Sequence, residues 1–99
     1  KLNEIRNIKK IFDNTVTIAM GVDFGSGSSS FTAIAIMILW HKSDRIQIVH
    51  IEKRPPENQL KQAEYISEIF KVSDCDIGVG GFRLWCKSNQ NNTRWRIFN

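Results

Sequence analysis

Two near-continuous apolar runs, residues 15–22 and 31–39, are separated by a short glycine- and serine-rich segment. The first, Thr15-Val16-Thr17-Ile18-Ala19-Met20-Gly21-Val22, is rich in β-formers and delivers Asp23 at its end. Neither run alternates as a half-exposed strand does, so both are expected in the middle of a sheet, buried on both faces. Gly25-Ser26-Gly27-Ser28-Ser29-Ser30 is the turn signal between them. A second polar turn, His41-Lys42-Ser43-Asp44, precedes residues 45–53, which alternate more clearly and predict a strand with one wetter face. Three strands with such short connections make an antiparallel meander.

Pro55-Pro56 then breaks the sheet, and Glu57-Asn58 supplies acid and cap chemistry for a helix. Its apolar face is Leu60, Ala63, Ile66, Ile69 and Phe70, and Lys71 closes its last turn. The β-like stretch Cys75-Asp76-Ile77-Gly78-Val79-Gly80 predicts a fourth strand, returning by a right-handed crossover to lie parallel to the first. Upstream, Leu2, Ile5, Ile8, Ile11 and Phe12 recur at helical spacing among basic residues. The expected fold class is therefore α/β: a three-stranded meander plus a helix and a fourth strand parallel to the first. The chain divides into an N-terminal linker helix (1–14), a folded unit (15–81) and a tail (82–99) without periodicity, expected to be irregular. That organisation leaves the fourth strand as an unpaired edge.

With 99 residues, 41% of them hydrophobic and 24% charged, the chain makes one small globular domain at most. The net charge of +4 suggests a nucleic-acid partner, but it is unevenly placed. Residues 1–81 carry ten basic and ten acidic side chains, and the excess is Arg83, Lys87, Arg94 and Arg96 in the tail. Trp85 and Trp95 among them imitate a single-strand binder, yet the chance composition of an irregular tail explains the mixture equally well. Basicity is thus no evidence for DNA. Cys75 and Cys86 are too few for a disulfide framework and lack zinc spacing. The longest apolar run is half a membrane span, and no charged-then-apolar leader follows Lys1. A cytoplasmic location with no membrane contact is the expectation, and the sequon Asn91-Asn92-Thr93 is read as chance.

The sharpest chemical feature is Asp23. A carboxylate on a central strand's end is rigidly placed to hold Mg²⁺ or Mn²⁺ against phosphate oxygens, although capping the following turn is its plain structural role. One acid is not a site, and the best second candidate is Asp76, at the start of the strand predicted beside the first. Asp23 and Asp76 are therefore the candidate catalytic and metal-binding pair, with Asp74 weaker. His41 and His50 lack co-ligand spacing and are read as satisfied histidines. Ser26 and the serines at 28–30 lack a nucleophile elbow and are read as a flexible hairpin.

The order of elements, with Gly21-Val22-Asp23-Phe24-Gly25 on the first strand, resembles the first half of a ribonuclease H-like fold. More narrowly, this opening followed by Ser30-Phe31-Thr32-Ala33-Ile34-Ala35-Ile36 resembles the nuclease domain of phage terminase large subunits. The strand ending Ile51-Glu52-Lys53 and the helix Gln62-Ala63-Glu64-Tyr65-Ile66-Ser67-Glu68-Ile69-Phe70 are similar as well. The resemblance covers about residues 16–81. It implies a Mg²⁺- or Mn²⁺-dependent endonuclease that cuts concatemeric double-stranded DNA during packaging, with Asp23 as a metal ligand. It also implies a separate ATPase domain, a small subunit and a portal as partners, in a phage-infected or lysogenic host. The family's fourth strand ends in an acid followed by a glycine–aromatic–glycine turn. Here one register places that acid at Asp76, and another places it at Gly81, which has no side chain. The family's third acid lies further along than this chain extends. The resemblance therefore leaves activity of this chain open.

A shifted reading frame would explain the departure. One of the codings allowed for Phe82 to Cys86, TTT CGG TTA TGG TGT, gives Phe-Gly-Tyr-Gly when read one base later; of these only the last glycine is forced, by Trp85 before Cys86. Two other classes fit parts of the sequence. An actin-like or sugar-kinase-like ATPase also opens on a Gly-x-Asp-x-Gly hairpin that cradles phosphate. A non-catalytic remnant would need no site at all.

Overall fold

The computed structural model describes residues 1–25, 30–81, 83–87 and 95–98, with Arg83 and residues 95–98 as backbone alone. Its elements in chain order are helix α1 (Leu2–Phe12), a single 3-10 turn (Asp13–Thr15) and strands β1 (Val16–Asp23), β2 (Thr32–Trp40) and β3 (Arg45–Arg54). Helix α2 (Gln59–Val72) and strands β4 (Ile77–Gly80), β5 (Arg83–Lys87) and β6 (Trp95–Phe98) follow. They form an α/β fold on one mixed sheet of order β3-β2-β1-β4-β5-β6. The meander β1–β2–β3 is antiparallel, and β4 returns from α2 to lie parallel to β1. This is the expected partial ribonuclease H-like arrangement.

Both helices pack on one face of the sheet. Val16, Ile18, Met20 and Val22 of β1 and Ile34, Ile36 and Ile38 of β2 meet Ile5 of α1 and Ile66, Ile69 and Phe70 of α2 in one core. The α2 start is the expected one: Asn58 is the N-cap, and its side chain accepts from the Lys61 N–H at 2.9 Å. The helical faces differ in part from the sequence expectation. Leu60, Ala63, Ile11 and Phe12 stand exposed, and Gln62 is buried instead, its amide donating to the Glu57 carbonyl. Phe12 packs edge-on against Trp40 rather than into the core.

Two larger expectations are corrected. Among the described residues no helix covers the second face of the sheet, so the apolar runs of β1 and β2 are buried on one side only. The tail, expected to be irregular, contributes β5 and β6 in its described parts, and β5 pairs with β4 from Ile77↔Cys86 to Gly80↔Arg83. Hence β4 is not an edge; among the described residues β3 and β6 are. The physical cause is a slot on β4. Gly78 and Gly80 both face the helix side, and the Trp85 indole lies across them at 4% exposure. Any Cβ at Gly78 would lie inside the van der Waals envelope of the indole, with Cζ2 at 2.9 Å. Glycine here is the condition for the indole's close approach.

Candidate functional site

Asp23 is the last residue of β1 and projects from the uncovered face, exposed to solvent. Among the described residues its carboxylate has no hydrogen-bond or ion-pair partner. The chain turns directly after it: the Gly25 N–H donates to the Thr32 hydroxyl at 3.3 Å, fastening the start of the turn to the first residue of β2. A side chain at Gly25 would collide with the Ser30 carbonyl, so the glycine is required by that close approach. Gly27 and the serines at 26, 28 and 29 lie outside the described residues.

The parallel neighbour reaches the same end of the sheet. The last register pair is Val22↔Gly80, so Gly81 adjoins Asp23 across the β1–β4 pair. Gly81 has φ +60, and a Cβ built on it would meet nothing within 4 Å. Of the two registers read from the sequence, it is Gly81 that sits beside Asp23.

Asp76 is at the other end. It precedes the pair Ala19↔Ile77, which sets it beside Ile18, five residues before Asp23. At ~3.3 Å per strand residue that is a separation of roughly 16 Å. No ion can be shared across it. The Asp76 carboxylate is moreover occupied: Oδ2 accepts the Ile18 N–H at 2.8 Å and faces Lys9 Nζ at 3.0 Å. Its own backbone N–H donates to the Ile18 carbonyl at 2.8 Å, and its carbonyl accepts the Lys87 N–H at 2.9 Å. Asp76 is thus a clamp that starts β4 on β1 and joins α1 and β5 to that junction. Asp74, the weaker candidate, pairs with the Lys87 ammonium. The expectation of Asp23 and Asp76 as one metal pair is corrected by this register.

The remaining candidates are structural. His41 Nε2 shares a 2.7 Å hydrogen bond with the Thr17 hydroxyl on the surface. His50 belongs to a network that sequence reasoning missed. Its Nε2 lies 2.9 Å from Glu52 Oε1, and Tyr65 O–H of α2 donates to Glu52 Oε2 at 2.5 Å. The Arg54 guanidinium stacks 3.5 Å from the Tyr65 ring centroid and donates to Glu57. Burial, then the hydrogen bond and charge of Glu52, push the Tyr65 hydroxyl above its ordinary range and keep it a donor. The signal for this network is a bulge: the register shifts between Ile36 and Met37, so Val49 is skipped and His50, Glu52 and Arg54 all turn toward α2. A cleft of about 330 Å³ lined by Ile11, Phe12, Trp40 and Lys42 lies at the sheet end opposite Asp23 and brings no acid with it.

No protein-family model, curated protein or solved structure matches this chain. Among the described residues, no three of His, Cys, Asp and Glu come together as a metal-binding group. A two-metal hydrolytic centre needs several converging acids, so the described residues at the Asp23 end do not fit one. No helix among the described residues is long and apolar enough to cross a membrane.

Proposed function

We propose that this chain is part of a metal-dependent DNA endonuclease domain of the phage terminase large-subunit type, interrupted before its second acid and inactive as it stands. The observation that carries the reading is the exposed Asp23 at the end of the central strand, with Gly81 adjoining it on the parallel neighbour. A hard-metal site at this end takes acids from both strands, and here one strand offers a carboxylate and the other offers open space. Aspartate is among the few residues besides glycine that adopt a positive φ, so a carboxylate at position 81 is compatible with the backbone.

The coding argument acts at the same position. If Gly81 is encoded by GGA, the T that opens the Phe82 codon makes the next-frame triplet GAT, which is aspartate. With the allowed coding TTT CGG TTA TGG for Phe82 to Trp85, the Phe-Gly-Tyr-Gly of the shifted reading then follows. The other three glycine codons give valine, alanine or glycine instead. One interruption of frame thus accounts for both the missing acid and the missing glycine–aromatic–glycine turn. On this reading concatemeric double-stranded DNA, the ATPase domain, the small subunit and the portal are partners of the uninterrupted parent, in the cytoplasm of its host.

Two measurements test the proposal. The DNA across codons 81–86 is expected to carry GGA at position 81; any other glycine codon overturns the frame argument. Calorimetric Mn²⁺ titration is expected to show at least tenfold tighter binding by Gly81→Asp than by the unaltered chain. That gain must vanish when Asp23→Ala is added, and a gain that survives refutes the assignment of the pair. Nicking of plasmid DNA in Mn²⁺ is expected to be absent in the unaltered chain.

A further inference from the structure

The uncovered face is laid out in rows by the register. Across β3, β2 and β1 the rows are Lys53, Ala33 and Asp23; then Ile51, Ala35 and Gly21; then Ile48, Met37 and Ala19; then Ile46, Leu39 and Thr17. Bulk and space are segregated by strand. Ile46, Ile48 and Ile51 form a ridge on β3 at 62, 59 and 70% exposure. On β1 the same rows carry only Thr17, Ala19 and Gly21, and a Cβ built on Gly21 would meet nothing within 4 Å. The charges are segregated too, with Lys53 on β3 and Asp23 on β1 in a single row.

We propose that this face is the contact between two copies of the chain, packed sheet on sheet about a two-fold axis running along β2. Such an axis keeps every row at its own height and exchanges β1 with β3. Ile51 of one protomer then falls on Gly21 of its partner, Ile48 on Ala19 and Ile46 on Thr17. Lys53 meets Asp23 at the charged end, and each contact occurs twice by symmetry. The ridge of one copy fills the trough of the other, at the ~10 Å spacing and aligned strand directions of packed sheets.

The single apolar ridge exposes on the order of 350 Å², already within the range of a monomer's largest patch. Together with the β2 and β1 rows the contact approaches, without reaching, the ~800 Å² per partner of a standard interface. The association is therefore micromolar and concentration-dependent. A helix from another protein would cover the same ridge, but it would not require Lys53 and Asp23 to answer each other. The proposal does not rest on the nuclease reading, although both engage Asp23.

Sedimentation velocity of the full chain over about 5–200 µM tests it. A reversible monomer–dimer equilibrium is expected, weakened at least tenfold by Ile48→Glu while the far-UV spectrum is unchanged. Lys53→Asp and Asp23→Lys are each expected to weaken the dimer, and the two together to restore most of its affinity. A monomer across the whole range overturns the proposal. So does a dimer indifferent to Ile48→Glu, or one in which the charge exchange brings no recovery. Assembly beyond the dimer also refutes it, because an isologous contact closes on itself.

Discussion

Gly78→Ala should destabilise the chain in proportion to what lies above it, which is the Trp85 ring. The added methyl would stand 2.9 Å from Cζ2 and closer still to Cε2 and Nε1, where carbon atoms prefer ~3.5–4.0 Å. The indole is 4% exposed and has no free space to enter, so it must be displaced by roughly an ångström. Overpacking of this kind costs about 1–3 kcal/mol, and the smaller unfolded-state entropy of alanine offsets ~0.4–1 of it. The net loss is ~1–2 kcal/mol, an appreciable share of the ~5–15 kcal/mol that holds a domain of this size. Trp85→Leu removes the ring over Gly78 and costs ~2–4 kcal/mol by itself. In that background Gly78→Ala should stabilise by ~0.4–1 kcal/mol, because the methyl enters vacated space and only the entropic gain is left. Urea unfolding followed by far-UV circular dichroism at low protein concentration measures all three variants. A coupling of ~1–3 kcal/mol is expected, the full overpacking cost and outside the ~0.5 kcal/mol within which independent sites add. Additive effects would mean that Trp85 does not lie on β4, and the β4–β5 pairing would fall with it.

Three further outcomes follow from the clamp, the buried thiol and the β3–α2 network. Asp76→Ala leaves the Ile18 N–H without its acceptor and should cost ~1–3 kcal/mol, whereas Asp76→Asn keeps an acceptor oxygen and loses only Lys9; equal urea midpoints for the two variants would refute the clamp. Burial pushes the Cys75 thiol up to about 12, against an opposing hydrogen bond from Ser73 and with Asp76 and Asp74 adding to the rise. The unfolded thiol ionises first, so this contribution to stability is whole below pH ~9 and is lost as pH climbs toward ~12. Native Cys75 should also resist a thiol reagent at neutral pH until denaturant is added, and rapid labelling located there by mass spectrometry would contradict its burial. Tyr65→Phe removes the donor to Glu52 and should cost ~1 kcal/mol at pH 7, with a smaller difference from the unaltered chain above the raised Tyr65 ionisation.

The meander, α2 and β4 were legible because each is written in a local signal: apolar runs bounded by turns, Asn58 before a helical face, proline between sheet and helix. What was not legible depends on partners far away in the chain. Asp76 looked like a companion to Asp23 because both flank apolar strands that run parallel. Yet the sequence already sets Asp23 at the end of its strand and Asp76 at the start of its own, and for parallel neighbours these are opposite ends of the sheet. Strand β5 was invisible because only Trp85 of its described side chains is buried, and the reason for that burial is a pair of glycines on β4. The apolar residues of β1 and β2 suggested cover on both faces; the described chain supplies helices for one. The bulge at Val49 is likewise a register fact, and it alone turns His50, Glu52 and Arg54 inward.

The central strand has neighbours of very different sequence distance. β1 meets β2 across residues 24–31, but it meets β4 only across residues 24–76. Closing the longer loop costs about 1.7 kcal/mol more in chain entropy than closing the hairpin. The meander can therefore form first, while β4 waits for α2, and β5 waits for β4. Synthesis from the N-terminus favours the same sequence of events. By the time residues beyond Gly81 arrive, the order of the first four strands has been decided without them. Such a chain accepts a wide variety of endings, provided that one flat apolar side chain comes to rest on Gly78 and Gly80.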